Sequence, residues 1–258
     1  MWDRIGAVTI WTNHDAPRVP PHPTLTDYYA DEGSHRPYLT RIFDETASLY
    51  DRISGFMSFG SGAWYRRHAL RRAGLVEGMK VLDVAVGTGA VARAALGIVG
   101  RSGSVVGLDP SGGMLAQARK ALPSPLIQGI AEELPCRAAA FDFLSMGYAL
   151  RHVSELRHTF CEFFRVLRPG GTLLILDFAR PPSRVGLVIG RFYLNRVVPQ
   201  IARLGSGRQA QLLVRYCWDT VENLVSPETI LDAVTDCGFR ETRHTRLGVL
   251  SEYVARRP

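Results

Sequence analysis

The sequence predicts an α/β fold: a mostly parallel, seven-stranded sheet with helices on both faces and a helical lid inserted near its end. Three observations predict it. Short apolar runs alternate with segments of helical period, a glycine turn follows the first run, and an aspartate closes the second run 20 residues beyond that turn. Such alternation specifies parallel strands buried between helical layers.

Residues 1–38 hold five prolines and no sustained period, and read as an irregular arm. From residue 39 to 258 the chain reads as a single domain. Ile42, Phe43, Thr46, Leu49, Tyr50 and Ile53 recur at three- and four-residue steps and share one helical face. A second helix is expected from Ser61, as its cap, to Gly74, as its stop. The period then changes. Residues 80–86 form a nearly continuous apolar strand ending in Gly87-Thr88-Gly89, and further buried strands are expected at 104–109, 125–130, 141–147 and 172–178. Ser111 and Ser154 are the expected caps of two intervening helices, the second ending at Pro169-Gly170-Gly171. Residues 182–223 look helical and amphipathic, with Val185, Phe192 and Val197 prominent, and would form the lid. One more helix starts at Ser226-Pro227, and the tail from Phe239 offers two strands.

Composition narrows the function classes. The chain has 258 residues, 46% hydrophobic, which is too apolar for a disordered protein. No apolar stretch suits a spanning helix: the best, residues 185–198, is short and carries Arg191 and Arg196. A brief apolar run at residues 5–11 lacks the marks of a secretory signal, so a cytoplasmic protein is expected. The net charge of +7 invites nucleic acid or an anionic membrane, yet 29 of the 31 basic residues are arginine, a bias that codon usage explains equally well. Four cysteines, Cys136, Cys161, Cys217 and Cys237, show no metal-binding spacing. Cys161 and Cys237 are expected to pack as small core residues, with neither a disulfide framework nor a metal site.

The glycine turn lies where a parallel sheet binds ligands, and its backbone N–H groups and helix N-terminus can face one closely. Asp109 ends the second strand, where a carboxylate can accept from two ribose hydroxyls. The turn also satisfies the dinucleotide pattern G-x-G-x-x-A. Asp83, four residues before Gly87, would repel a pyrophosphate and suits a ligand bearing ammonium and sulfonium groups.

Residues 81–89 resemble the first motif of class I S-adenosylmethionine (SAM)-dependent methyltransferases, and Gly107-Leu108-Asp109-Pro110-Ser111 resembles their ribose-binding turn. More narrowly, the chain is similar to the ubiquinone/menaquinone-biosynthesis C-methyltransferases. The matching stretches are Phe43-Asp44 through Tyr50-Asp51, Met57-Ser58-Phe59-Gly60, Ala131-Glu132-Glu133-Leu134-Pro135, Phe141-Asp142 through Val153, and residues 165–171. The resemblance runs from about residue 40 to 240 and implies a Rossmann-like fold with SAM as cofactor. Its implied cofactor contacts are Asp83, Ala85, Gly87, Gly89, Asp109, Pro110, Met114, Ala131, Glu132 and Gly147. Three positions and the tail depart from the family pattern. Ala85 stands where glycine is frequent, Ile130 replaces an aspartate that accepts from adenine, His152 replaces an asparagine after Arg151, and the Gly248–Ala255 stretch differs from the family's usual ending. Adenine would then rest on the backbone near Ala131 and on Pro110 or Met114.

Methyl transfer from a sulfonium needs alignment, exclusion of water and an electron-rich acceptor. A ring carbon becomes nucleophilic when a neighbouring hydroxyl loses its proton. Arg151 could stabilise that phenolate and His152 could take the proton; the alternatives are an ion pair of Arg151 with Asp142 or Glu155 and a hydrogen-bonded loop histidine. Tyr50, Met57 and Tyr148 are candidate pocket residues, although aromatics at helical spacing also serve a core. The remaining histidines, His158 and His244 among them, carry no assigned role. The expected partner is a small aromatic or quinol-like molecule, without metal or nucleic acid. Peripheral contact at the inner face of a membrane, through Arg191, Arg196 and Arg203, is a further expectation. Methylation at O, N or C of a specialised metabolite stays open, as do, further off, a nucleic-acid methyltransferase and a SAM-binding protein without catalysis.

Overall fold

The computed structural model describes residues 18–57, 62–181, 183, 186 and 208–258, with side chains described for these except 52–57 and 208. Met57 as a side chain, the Ser61 cap, and the expected lid residues Val185, Phe192 and Val197 with Arg191, Arg196 and Arg203 lie outside the described set.

Among the described residues, seven strands form one sheet in the order β3-β2-β1-β4-β5-β7-β6. They are β1 (Lys80–Val84), β2 (Ser104–Asp109), β3 (Leu126–Gln128), β4 (Phe141–Gly147), β5 (Leu167–Phe178), β6 (Arg240–Leu247) and β7 (Leu250–Arg256). The first five run parallel; β7 pairs antiparallel to both β5 and β6. The described helices are α1 (Glu32–Met57), α2 (Gly62–Arg72), α3 (Ala90–Val99), α4 (Gly112–Ala121), α5 (Leu156–Val166), α6 (Arg208–Glu222) and α7 (Pro227–Asp236).

Period-2 alternation sends the sheet's side chains to two cores. Leu173 and Ile175 of β5 join one with Phe160 and Phe163 of α5, while Leu174 and Leu176 join the other with Val91 and Ala95 of α3. Full burial of each leucine, isoleucine or phenylalanine side chain contributes roughly 1.5–3 kcal/mol. A third, smaller cluster unites the segment before α1 with α1 and α6, through Tyr29, Tyr38, Ile42, Leu213 and Tyr216.

Four local expectations are corrected. The irregular arm ends earlier than residue 38, because α1 starts at Glu32: the Asp31 carboxylate accepts from the Ser34 N–H at 2.8 Å, and Pro37 is accommodated inside the first turns. The cap of α5 is Glu155, not Ser154, its carboxylate accepting from the N–H groups of Arg157 and His158 and also of Val19. Strand β5 begins directly at Leu167, so Pro169-Gly170-Gly171 lies within the strand, where the Gly170 N–H donates to the Arg257 carbonyl. Cys161 and Cys237 form a disulfide joining α5 to the end of α7. Cys161 lies on the outer side of α5, and the contact arises from packing of two helices 76 residues apart, which spacing along the chain does not reveal. The caps at Ser111 and Ser226 stand as expected. No helix among the described residues is long and apolar enough to cross a membrane.

Candidate active site

The carboxyl ends of β1, β2 and β4 open into one cavity roofed by α1. It sits where neighbouring crossovers leave the sheet in opposite directions, β1 lying between β2 and β4.

The turn after β1 is built by glycine. Gly89 has φ +89°, and a Cβ there would sit 2.5 Å from the Leu122 side chain, so only glycine lets α3 start this close to α4's end. Ala85 carries φ +54° and Tyr148 φ +61°. A left-handed conformation costs a residue with a Cβ roughly 1–2 kcal/mol, and both strained residues line the cavity.

Asp109 is held by the turn itself. Its carboxylate accepts from the Gly87 N–H at 2.8 Å and the Ser111 N–H at 2.9 Å, and burial pushes its pKa up to about 6 against those two bonds. Asp83 lies deeper, accepting from the Ser145 hydroxyl at 2.6 Å, with its pKa raised by burial to about 7.

Of the sequence-predicted cofactor residues, Ala85, Gly87, Asp109, Pro110, Met114, Ala131, Glu132 and Gly147 line the cavity, as do Tyr50, Tyr148 and His152. Asp83, Gly89 and Arg151 do not. Arg151 is buried behind the wall, ion-paired with Asp177 of β5 and donating to the Thr220 hydroxyl at 3.1 Å. The partners named as alternatives are engaged elsewhere: Asp142 with Arg168, and Glu155 as the α5 cap. His152 faces the cavity beside the Phe43 ring, 5.4 Å away, with its other side stacked on Tyr216. Burial first, then the Arg151 charge and the nearby His22 and His35, hold its pKa well below the ordinary value, so it is a neutral imidazole at neutral pH.

Sequence reasoning missed how the roof is fastened. Asp44 accepts from the Ser111 hydroxyl at 2.6 Å and the Gly113 N–H at 2.8 Å, and Asp51 accepts from the Thr88 hydroxyl. One carboxylate therefore pins α1 to the start of α4, the other to the glycine turn. The available signal was two carboxylates seven residues apart, two helical turns, flanking an otherwise apolar face.

The cavity fits a nucleoside bearing a positive charge: a fixed carboxylate after the second strand, a glycine turn without side chains in the way, and apolar Pro110, Met114 and Ala131 in the wall. The solved structure of a SAM-dependent methyltransferase from Aquifex aeolicus shares the fold, with a TM-score of 0.57 at 20% identity over 75% of this chain and 89% of that one. Among curated proteins, the ubiquinone/menaquinone biosynthesis C-methyltransferase UbiE of Geobacter sulfurreducens is 35% identical over 227 residues, 85% of this chain and 87% of that protein. The demethylmenaquinone methyltransferase of Tropheryma whipplei strain Twist is 33% identical over 219 residues, 83% of this chain and 89% of that protein. The profile of the ubiE/COQ5 methyltransferase family matches residues 31–255, and the chain belongs to that family.

Proposed function

We propose that this methyltransferase moves the methyl group of SAM to a ring carbon of a reduced, quinol-type aromatic molecule. The observation that carries the reading is the shared cavity, lined by both Asp109 and His152, in a chain whose curated relatives are named for quinone methylation.

SAM supplies an activated methyl group on sulfur. Asp109 would hold its ribose, and Ala131, Pro110 and Met114 its adenine. Asp83, outside the cavity wall and with a pKa near 7, contributes negative charge to the extent that it is ionised. His152 removes the proton from a ring hydroxyl, which makes the neighbouring ring carbon nucleophilic. Arg151 acts through the wall as a positioning residue, its charge favouring the phenolate while it fixes the segment carrying His152. Tyr50, Tyr148 and Phe43 give the acceptor ring an apolar berth.

Peripheral contact with a membrane belongs to the same proposal. Its support is the exposure of Trp64, at 65%, beside Arg67 and Arg71 on α2, and of Val249, at 66%, in the turn between β6 and β7. Co-sedimentation with anionic vesicles, lost on Trp64→Ser with Val249→Ser, tests it.

Mass spectrometry of products from SAM and a reduced short-chain demethylmenaquinone tests the main reading. One added methylene on a ring carbon is the expected outcome. No product, with the demethylated cofactor shown to bind, would sink the quinol assignment. It would favour methylation of another aromatic metabolite, a reading that His152 and Ile130, both departures from the family pattern, support.

A further inference from the structure

Behind His152 lies a line of buried titratable groups that the proposed chemistry leaves unused. Its Nδ1 is 3.4 Å from the Tyr216 hydroxyl, and that hydroxyl is 3.5 Å from Nε2 of His35. The groups come from three places in the chain: the segment after β4, helix α6, and the first turn of α1. Tyr216 is fully buried and His35 nearly so. The His152 and Tyr216 rings are stacked, with centroids 5.5 Å apart and planes at 23°, and His35 packs on Tyr29 at 4.7 Å.

We infer that Tyr216 and His35 form a proton relay behind His152, orienting its imidazole and accepting the proton that it takes from the methyl acceptor. The inference rests on the reading of His152 as the base.

One hydroxyl between two imidazole nitrogens imposes a direction. When Tyr216 donates to His35 Nε2, it can only accept from His152 Nδ1–H, which leaves His152 Nε2 with a free lone pair towards the cavity. At the His152 end, burial and the Arg151 guanidinium disfavour an extra proton. At the His35 end, burial, His22 and Arg36 also hold the pKa down, to about 4, and the Glu132 carboxylate pulls the other way. Glu132 is fixed by the Ser154 N–H at 2.6 Å and by Arg36 at 3.7 Å. Also facing the line are His22, whose Nδ1 is committed to the Pro23 carbonyl at 2.7 Å, and Tyr28, Tyr29, Tyr38 and Cys217 around Tyr216.

The step balances. The acceptor's O–H bond breaks as His152 Nε2–H forms, and His152 Nδ1–H breaks as Tyr216 regains a proton. The Tyr216 proton passes to His35 Nε2, leaving a phenolate in the cavity and a cation beside Glu132. Both separations are long at rest, and such contacts tighten when substrate is bound.

The test compares wild type with His152→Gln, Tyr216→Phe and His35→Gln, using SAM and a reduced short-chain demethylmenaquinone. Tyr216→Phe and His35→Gln are expected to lower kcat about tenfold or more and to move the acidic limb of its pH profile, with KM for SAM unchanged. Adding Tyr216→Phe to His152→Gln should cost nothing further, because the members act as one unit. If Tyr216→Phe and His35→Gln keep wild-type kcat and pH profile while His152→Gln loses turnover, the relay is wrong and the base stands. If His152→Gln itself keeps both, the base and the relay fall together. Should Tyr216→Phe fail to fold, 15N spectra of histidine-labelled wild type and His35→Gln give the same decision. The relay requires His152 protonated at Nδ1 in wild type and a changed tautomer balance in the variant. A His152 protonated at Nε2 in both overturns it.

Discussion

The Asp44 carboxylate accepts from the Ser111 hydroxyl at 2.6 Å, and so joins a roof helix to the cap of the helix that follows Asp109, 67 residues away. The same oxygen takes the Gly113 N–H, and a Cβ at Gly113 would lie 2.9 Å from the Asp44 Cα. The two helices meet backbone to backbone at this point.

Asp44→Ala therefore removes two charge-assisted bonds at an exposed joint. The expected loss is about 1 kcal/mol, a fall of roughly 2–4 °C in the melting temperature. Asp44→Asn, which keeps an acceptor oxygen, should lose less. Gly113→Ala should cost about 1–3 kcal/mol by forcing α1 off α4. Calorimetry checks all three, and an Asp44→Ala melting curve identical to wild type would show that the joint does not hold the roof.

Asp109 gives a pH signature. Its folded-state pKa of about 6 lies above the ordinary 3.8, so between these values the native state binds more protons than the unfolded chain. Its contribution makes the free enzyme less stable as pH rises through that window. Ligand binding runs the other way: the ionised carboxylate accepts ribose hydroxyls, so SAM affinity should rise as pH climbs past 6. Asp109→Asn should flatten this rise, leaving the share due to Asp83 with its pKa near 7. Asp109→Ala should weaken SAM binding about tenfold to a hundredfold, read by titration calorimetry. Unchanged affinity would contradict its assignment to the ribose.

Arg151 and Asp177 form a buried pair whose structural and chemical roles can be separated. Arg151→Met leaves an uncompensated carboxylate and should cost roughly 3–5 kcal/mol. Arg151→Met with Asp177→Leu should recover most of that stability. Turnover in the double variant should stay low, because the positive charge behind His152 is gone. Recovery of turnover along with stability would reduce Arg151 to a structural ion pair.

The Cys161–Cys237 bridge closes a separation of 76 residues and lies on helices that take no part in the cavity wall at those positions. Chain entropy assigns it about 4.5 kcal/mol. Dithiothreitol, or Cys161→Ser with Cys237→Ser, should lower the melting temperature markedly while leaving kcat at moderate temperature unchanged. A loss of kcat in fully folded reduced enzyme would mean that the bridge also shapes the site.

The parts of the site legible in the sequence are those set by neighbours along the chain. Gly87-Thr88-Gly89 after a buried strand and Asp109 at the end of the next marked the cavity floor, since backbone direction follows strand period and turn chemistry. Ser111 and Ser226 were readable as caps for the same reason. The start of α1 was not: Pro37 reads as a break, and the segment before Asp31 is held by packing of Tyr29 against α6, a contact distant in the chain.

Sequence by itself determined the class of fold, the place of the cofactor loop and the family, because strand and helix periods, turns and caps are short-range properties. Tertiary structure alone decided which groups work together. The Asp44–Ser111 joint spans 67 residues, the His152–Tyr216 contact 64 and the Tyr216–His35 contact 181. It likewise set Arg151 behind the cavity wall against Asp177 and brought Cys161 to Cys237. Each of these depends on how closed layers stack, and side-chain pairing across layers leaves no period in the chain that carries it.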